Sequence, residues 1–476
     1  MKPRFDATPE SSCCSRRSVL KAATGGFAWL AFSALLAGNS PARLFGDPGS
    51  KNKDDGDGIA PKLKVRAKRV IFLCMQGAPS HVDTFDYKPG LLAGDGKTFT
   101  GNAGRVNGNS KLLAPPWKFN NHGRSGLPIS ELFPELAKHA DRLCLINSMS
   151  TDLPDHGRAQ LKLHTGNAQF IRPSMGAWVA YGLGSENQNL PGYITINPAG
   201  GAQNYGSGFL PAEFQGMPVP MRGRSEAQLR HMENPRLKPD NQRVMLDFAE
   251  DLNKHHLRKT TPDGDQAIEG VIKSYEMAFR MQADAPELMD VSTEPKRVQD
   301  LYGIGSPETD AFGRQCLLAR RLSESGVRFV EIQNGGWDHH RDLEAALSRS
   351  CRRIDTPIAG LLTDLSQRHM LDDTLVIWGG EFGRTPYSQN ANGRDHNHKG
   401  YTLWMAGGGI QGGMRFGATD DVGYAAVENK VDIHDIHATI LHLLGVDHEM
   451  LTFCYAGRDF RLTDVYGKVL KDIVAS

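Results

Sequence analysis

The residues best suited to chemistry form one short run, Asn334–His340, which reads NGGWDHH and follows an apolar segment. One carboxylate and two imidazoles are ligand types that zinc, manganese and similar divalent ions accept. Neighbours in a loop seldom both face one ion, so we predict Asp338 and His340 as ligands, with His339 as a further candidate that supports them from behind. The alternative is a polar surface turn.

Three other apolar segments also run into polar clusters, and a later loop, NGRDHNHKG (392–400), holds two more histidines. In open α/β sheets, ligands bind at the carboxyl ends of the strands, so clusters far apart in sequence can meet at one edge. The alternative for each cluster is a turn or helix cap. The further candidate ligands in these segments are His81, Asp83, Glu381, His396 and His398.

Two arginines, Arg384 and Arg394, lie in the same loops as the candidate ligands. A guanidinium group is a planar fork that matches phosphate, sulfate or carboxylate. Together with a divalent ion, it indicates a substrate that is anionic or becomes anionic during reaction. The equally weighted alternative is that these arginines join loops through backbone carbonyls.

The elements that would position these residues are short apolar segments alternating with helical patterns. They predict a doubly wound, mostly parallel sheet with helices on both faces, an α/β fold, and long loop insertions at 86–125 and 198–265. The predicted strands are Arg69–Cys74, Arg142–Asn147, Tyr193–Asn197, Val327–Gln333, Thr374–Trp378 and Tyr401–Met405. The clearest predicted helices are Ala311–Ser325, Leu343–Arg368 and Val431–Leu444.

The N-terminus carries the pattern of a twin-arginine export signal, with Arg16 and Arg17 before a short apolar stretch. That stretch is short for a membrane anchor, the alternative interpretation. We therefore expect a signal peptide over residues 1–45, a flexible linker over 46–67 and a single domain over 68–476. The expected location is periplasmic or extracellular, without a stable membrane anchor after cleavage. The net charge of +1 gives no indication of nucleic-acid binding.

Three motifs together resemble a known superfamily: GGWDHH (335–340), GEFGRTP (380–386) and GRDHN (393–397), followed by DIHATILHLLG (435–445). They look like the alkaline phosphatase and sulfatase superfamily. More closely, they resemble a group of exported bacterial proteins within it, known as a domain of unknown function and often labelled sulfatase-like. The resemblance covers residues 68 to the C-terminus. It implies metal-dependent hydrolysis of phosphate or sulfate esters, with metal ligands matching Asp83, Asp338, His340 or His339, Glu381, and His396 or His398.

The segment HGRAQLKLHTG (156–166) aligns with the stretch that holds the nucleophile in sulfatases. The resemblance places His156 in the nucleophile position and Arg158 near a substrate-binding arginine, with neither cysteine nor serine at that position. Four interpretations stay open. His156 is a ligand or the nucleophile, a metal-activated water attacks directly, a hydroxyl such as that of Ser150 substitutes, or hydrolysis has been lost.

The resulting hypothesis is an exported metal-dependent hydrolase of sulfate or phosphate esters, either small molecules or polysaccharides. Its cofactor would be zinc, calcium, magnesium or manganese. The candidate catalytic residues are His156, Arg384 and Ser150, and the candidate substrate-binding residues are Arg158 and Arg394. The alternative is a non-catalytic exported binding protein on a degenerate hydrolase fold, since function resides in a site rather than a fold. A metal-dependent isomerase or mutase is a third option, which the export signal disfavours.

Overall fold

The computed structural model describes residues 63–100, 110–198, 200–222, 226–227, 238–260, 266–390 and 392–476. The predicted signal peptide and all but the last five residues of the predicted linker lie outside these ranges. Among the helices within these ranges, none is both long enough and apolar enough to cross a bilayer.

The described strands, in chain order, are β1 Arg69–Gln76, β2 Phe119–His122, β3 Leu127–Ser130, β4 Leu143–Met149, β5 Tyr193–Ile196, β6 Met217–Val219, β7 Met221–Arg222, β8 Glu226–Ala227, β9 Phe329–Gly335, β10 Thr374–Gly379, β11 Gly383–Gln389, β12 Gly393–Asn397, β13 Tyr401–Ala406, β14 Met414–Phe416, β15 Ala418–Thr419, β16 Ala426–Glu428, β17 Phe453–Tyr455 and β18 Arg458–Phe460. All six predicted strands are present, with ends that differ by one or two residues.

The described α-helices are α1 His81–Thr84, α2 Pro89–Ala93, α3 His156–Thr165, α4 Met175–Leu183, α5 Pro239–Thr260, α6 Gln266–Met289, α7 Lys296–Leu301, α8 Asp310–Glu324, α9 Leu343–Gln367 and α10 Ile433–Leu443. Short 3₁₀ segments occur at Leu136–Arg142, Ala202–Asn204, Ala212–Phe214, Val291–Thr293, Leu371–Asp373 and Lys471–Ile473. The three predicted helices correspond to α8, α9 and α10.

Eight strands form one sheet in the order β14-β4-β13-β10-β1-β9-β5-β6. Every neighbouring pair is parallel except the two that involve β13, which is antiparallel to β10 and β4. The chain returns from β10 to β13 through the β11–β12 hairpin at one edge, so no crossover helix is available to make this pair parallel. The predicted mostly parallel sheet is confirmed.

Both faces of the sheet are covered, because alternate residues of each strand point to opposite sides. In β1, Phe72 and Cys74 belong to a buried apolar cluster that also contains residues of α3, α4 and α10. Ile71 and Leu73, which are equally buried, point to the other side. There, α8 packs against β9, β1 and α9.

One prediction about the insertions was wrong: α5 occupies part of 198–265, which we expected to be loop. Its sequence is polar, and its apolar residues do not all lie on one buried face. Val244 and Phe248 are exposed, while Leu246 and Ala249 are buried. By their contacts, α5 and α6 as far as Ala283 belong to one compact unit.

A buried ion pair ties the hairpin to the loop that follows β1. Arg394 in β12 donates from Nε to Asp83 Oδ2 at 2.6 Å and from Nη2 to Asp83 Oδ1 at 2.8 Å, and neither side chain is exposed. Arg394 also donates to the backbone carbonyls of Thr385 and Leu113. The predictions that Asp83 binds a metal and that Arg394 binds substrate disagree with this geometry, since each group already has its partner.

We predict that Asp83→Asn destabilises the protein by about 3–5 kcal/mol, because it leaves the Arg394 guanidinium buried without a counter-charge. Urea unfolding at pH 7 measures this change. Asp300→Asn is the matched control, since Asp300 pairs with Lys296 on an exposed face of α7 and should lower the free energy of unfolding by less than ~1 kcal/mol. Equal, small effects in the two variants would contradict the role of the buried pair.

Candidate metal centre

Four of the predicted residues converge at the carboxyl edge of the sheet, each brought there by a different local structure. Asp338 and His340 lie in the loop after β9, His156 is the first residue of α3, and His396 lies in β12. One ligand atom of each lies within 4.8 Å of the ligand atoms of all the others. All four remain partly exposed, so the cluster is open to solvent.

Asp338 Oδ1 lies at the middle of the cluster. It is 2.7 Å from His340 Nε2, 3.2 Å from His156 Nε2 and 3.3 Å from His396 Nε2. The Nε2 atoms of His340 and His396 are 3.0 Å apart. In a tetrahedral zinc site with bonds of ~2.0–2.1 Å, ligand atoms are separated by about 3.3 Å. The spacing therefore suits a small divalent ion.

The hydrogen bonds of the three histidines decide which nitrogen faces inward. Nδ1 of His156 lies 2.5 Å from Glu381 Oε1, Nδ1 of His396 lies 2.8 Å from the Pro154 carbonyl, and Nδ1 of His340 bonds to Gln389 Oε1. These oxygens only accept, so each neutral ring carries its hydrogen on Nδ1 and keeps the Nε2 lone pair. Three lone pairs thus point at one another, the arrangement found in histidines that bind metal.

Nε2 of His156 gives an independent test of the fit to a cation. This nitrogen is buried and has no hydrogen-bond partner, although Asp338 Oδ1 lies close by. A buried polar nitrogen without a partner is costly unless something else satisfies it. A divalent ion between His156, Asp338, His340 and His396 would satisfy it, so the residues present fit the metal that the sequence predicts.

Glu381 lies behind His156 rather than in the cluster. Its buried carboxylate accepts from His156 Nδ1 and the Gly77 backbone N–H on Oε1, and from Gln160 Nε2 at 2.6 Å on Oε2. Both oxygens are therefore occupied, which corrects the prediction that Glu381 is itself a ligand. The carboxylate instead orients the imidazole of His156 and makes it a stronger base.

Arg384 is buried and positions Asp338. Its Nη2 lies 2.5 Å from Asp338 Oδ1 and 2.5 Å from the Gly77 carbonyl, and its Nε donates to the Ala78 carbonyl at 3.0 Å. These bonds engage the guanidinium fork, so the structure favours the loop-joining alternative over the prediction that Arg384 holds a substrate anion.

The loop after β1 requires a glycine where it meets the loop after β9. Gly77 has a φ of +108°, and a Cβ there would lie 2.8 Å from the Asp338 nitrogen and 2.9 Å from the Trp337 nitrogen. A side chain would push the two loops apart and would strain the backbone. Close backbone contact at Gly77 thus sets the position of Asp338 relative to Arg384.

The electrostatics of the cluster favour a cation. Burial raises the pKa of Asp338, but the nearby imidazoles of His156 and His396 and the charge of Arg384 outweigh it and hold that pKa well below its usual range. For His156, burial lowers the pKa, while Asp338 and Glu381 raise it to about 9. The same carboxylates would attract a metal ion, and ion binding at His156 would release a proton near neutral pH.

Two other predicted histidine ligands point away from the cluster. His81 is buried with Nε2 2.7 Å from the Gly423 carbonyl, and burial lowers its pKa. His339 points to Ser350 Oγ at 3.3 Å, and burial and the charge of Arg384 lower its pKa to about 4. Of the adjacent pair in the GGWDHH loop, the structure therefore brings His340 to the cluster and leaves His339 behind, in the arrangement that the sequence favoured.

The remaining predicted residues also lie outside the four-residue cluster. Ser150 is buried and donates to the Val431 carbonyl at 3.4 Å. Arg158 is exposed and pairs with Asp155. His398 belongs to the loop between β12 and β13 and is not one of the four clustered residues.

Sequence reasoning missed the groups that orient the histidines: Gln160, Gln389 and the Pro154 carbonyl. A signal existed for Gln160, because it lies four residues after His156 and so shares its helix face. None existed for Pro154, which acts through its backbone, or for Gln389, whose contact with His340 depends on the packing of the hairpin.

The fold and the cluster define an α/β protein with a candidate divalent-metal centre at the carboxyl edge of its sheet. Over residues 67–474 the chain matches the family described as Protein of unknown function (DUF1501), and it belongs to that family. No curated protein matches the chain.

Several solved structures are similar to this chain at low identity. Ps i-CgsB in complex with k-i-k-neocarrahexaose is 10% identical, with a TM-score of 0.37 and coverage of 80% of this chain and 73% of that one. The alkaline phosphatase of the Antarctic bacterium TAB5 is 11% identical, with a TM-score of 0.32 and coverage of 81% and 100%. A protein in the alkaline phosphatase superfamily from Vibrio parahaemolyticus is 10% identical, with a TM-score of 0.35 and coverage of 93% and 82%.

We predict that His340→Gln strongly lowers the affinity for a divalent ion, because it removes a direct ligand. Loss of a residue that only hydrogen-bonds to a ligand typically lowers metal affinity by ~10–100-fold, and we expect a larger effect here. Titration of chelator-treated protein with zinc, followed by calorimetry, measures the affinity. His339→Gln is the matched control and should bind as the parent does. Equal losses in both variants, or no change in either, would refute the assignment of ligands.

Proposed function

We propose that this protein is an exported, metal-dependent hydrolase of sulfate or phosphate esters. The observation that carries the proposal is the convergence of three histidine Nε2 lone pairs and one carboxylate oxygen at a solvent-accessible edge of the sheet. A site that keeps its histidines ready to bind metal and stays open to solvent suits chemistry on a ligand from outside.

In this proposal the side chains divide into ligands and supports. His156, Asp338, His340 and His396 would hold the ion, which would supply Lewis-acid polarisation of the ester and lower the pKa of water. Glu381 holds the ring of His156 and Arg384 holds the carboxylate of Asp338. These contacts keep the ligands in place, so little reorganisation is needed during reaction.

Water is the nucleophile that fits this arrangement. Ser150, the hydroxyl candidate, donates to the Val431 carbonyl and lies outside the cluster. His156 directs its Nε2 at Asp338, which suits a ligand better than a group that attacks the ester. A metal-activated water needs no side-chain nucleophile.

The charge of the site favours a monoanionic ester. Asp338 and Glu381 contribute two negative charges, Arg384 contributes one positive charge and a divalent ion contributes two, with neutral histidines. The resulting net charge of about +1 complements a sulfate monoester or a phosphate diester better than a doubly charged phosphate monoester. Esters on small molecules and on polysaccharides both carry such groups.

We expect the zinc- or manganese-loaded full-length protein to hydrolyse 4-nitrophenyl sulfate or bis(4-nitrophenyl) phosphate faster than 4-nitrophenyl phosphate. His340→Gln should lower kcat/KM by at least about 100-fold, since it removes a metal ligand. His339→Gln should stay within about threefold of the parent, because His339 faces away. Release of 4-nitrophenol, read by absorbance, measures turnover.

The non-catalytic binding protein is the other outcome of this experiment. Its support is that the hydroxyl predicted as the substitute nucleophile, Ser150, is held away from the cluster. Metal binding that depends on His340, with no turnover of any of the three esters, would reject the hydrolase in favour of the binder.

Export by the twin-arginine route is part of the proposal, supported by Arg16 and Arg17 before a short apolar stretch. We expect Arg16→Lys with Arg17→Lys to retain the protein in the cytoplasm, because the export machinery reads the arginine pair. Cell fractionation and immunoblotting measure the location. Lys21→Arg, which leaves the pair intact, is the control; unchanged export of the double variant would exclude this route.

A further inference from the structure

A second set of metal-binding side chains lies inside the core, away from solvent. Cys74 in β1, His164 in α3 and Glu331 in β9 each offer one ligand atom, and these atoms lie within 4.8 Å of one another. All three side chains are buried, with exposures of 2% or less. We propose that they bind a structural zinc-class divalent ion.

The sheet and one helix bring these groups together. Cys74 and Gln333 are direct partners in the parallel pairing of β1 with β9. Glu331 lies two residues before Gln333 and therefore points to the same face. Helix α3 covers that face and places His164 against it.

Tyr193 donates to Glu331 Oε2 at 2.8 Å, which leaves Oε1 of that carboxylate to face the cluster. Nδ1 of His164 lies 2.7 Å from the Gln160 carbonyl, so the neutral ring keeps its Nε2 lone pair towards Glu331 Oε1 at 2.6 Å. The three histidines of the cluster around Asp338, called the outer site below, use their ring nitrogens in the same way. The Gln333 amide turns its Nε2 towards the cluster, 3.1 Å from His164 Nε2 and bonded to Glu331 Oε1, and the Cys74 sulfur makes a long 3.9 Å contact with Gln160 Oε1.

Charge and ligand type identify the class of ion. A thiolate, a carboxylate and a neutral imidazole carry two negative charges, which a divalent cation neutralises in a buried setting where net charge is costly. A cation beside Cys74 would stabilise the thiolate form of its side chain. Sulfur with imidazole selects zinc over magnesium or calcium. Protein ligands without solvent access match a structural site rather than a catalytic one.

The inner site would also support the outer one. Gln160 donates from Nε2 to Glu381 Oε2 at 2.6 Å, while its Oε1 faces the Cys74 sulfur. Its backbone carbonyl meanwhile holds His164. The two sites share no ligand, so each can be removed separately, and the inner site does not depend on the proposed hydrolase activity.

Metal content and the spectrum of cobalt-substituted protein test the proposal. We expect two ions per chain in the full-length parent, and a near-ultraviolet thiolate-to-cobalt charge-transfer band. His340→Gln should lose one ion and keep the band, because the inner site is untouched. Cys74→Ala should lose the other ion and the band, while Cys144→Ala, which removes an equally buried thiol from β4, should keep both.

Two results would overturn the proposal, and the first requires no substitution in the core. If folded His340→Gln protein contains no ion and shows no thiolate band, the inner cluster is a metal-free ion pair between His164 and Glu331. Loss of turnover with the band retained would instead reject the hydrolase and leave the inner site standing. A band that survives in Cys74→Ala would likewise refute this ligand set.

Discussion

The buried bidentate ion pair between Arg394 and Asp83 is the interaction on which the edge of the sheet depends. It fastens β12 to the short helix after β1, two segments more than 300 residues apart in sequence. Strand β12 carries His396, and its partner β11 carries Arg384 directly opposite His396. A buried pair of this kind has one geometry that satisfies both charges, so it fixes the hairpin against the loop.

Two further buried side chains, neither of them a candidate metal ligand, connect the loop after β1 to the cluster. Arg384 joins the Gly77–Ala78 loop to Asp338, and Glu381 joins the same loop to His156. Each contact is a charge-assisted hydrogen bond in a buried setting, where such bonds are strong and directional. By residue type, Glu381 could be a metal ligand and Arg384 could bind an anion. In this structure both instead hold the candidate ligands in position.

A second group of polar side chains lies in the core beneath this edge of the sheet. Gln160 on α3 contacts both Glu381 above and the Cys74 cluster below. Helix α3 therefore carries His156 at its first residue and His164 two turns later, on the same face. Helix α3 would therefore supply one ligand to the solvent-exposed site and another to the buried site.

The sequence by itself determined the elements and the edge where chemistry would gather. Apolar segments bounded by turn residues are strands wherever they are buried on both sides, which is why all six were found. The rule that parallel strands end at a common edge brought together loops from β1, β4, β9 and β10. The polar helix α5 was missed because its apolar face is narrow.

Only the tertiary structure decided which polar side chains face the cluster. Asp83 and Asp338 are both aspartates shortly after central strands, yet one is neutralised by Arg394 and the other faces three histidines. Similarly, His339 and His340 are chemically identical neighbours that point to Ser350 and to His396. Residue type is the same within each pair. Side-chain direction depends on backbone angles and on partners far away in sequence, and local patterns contain neither.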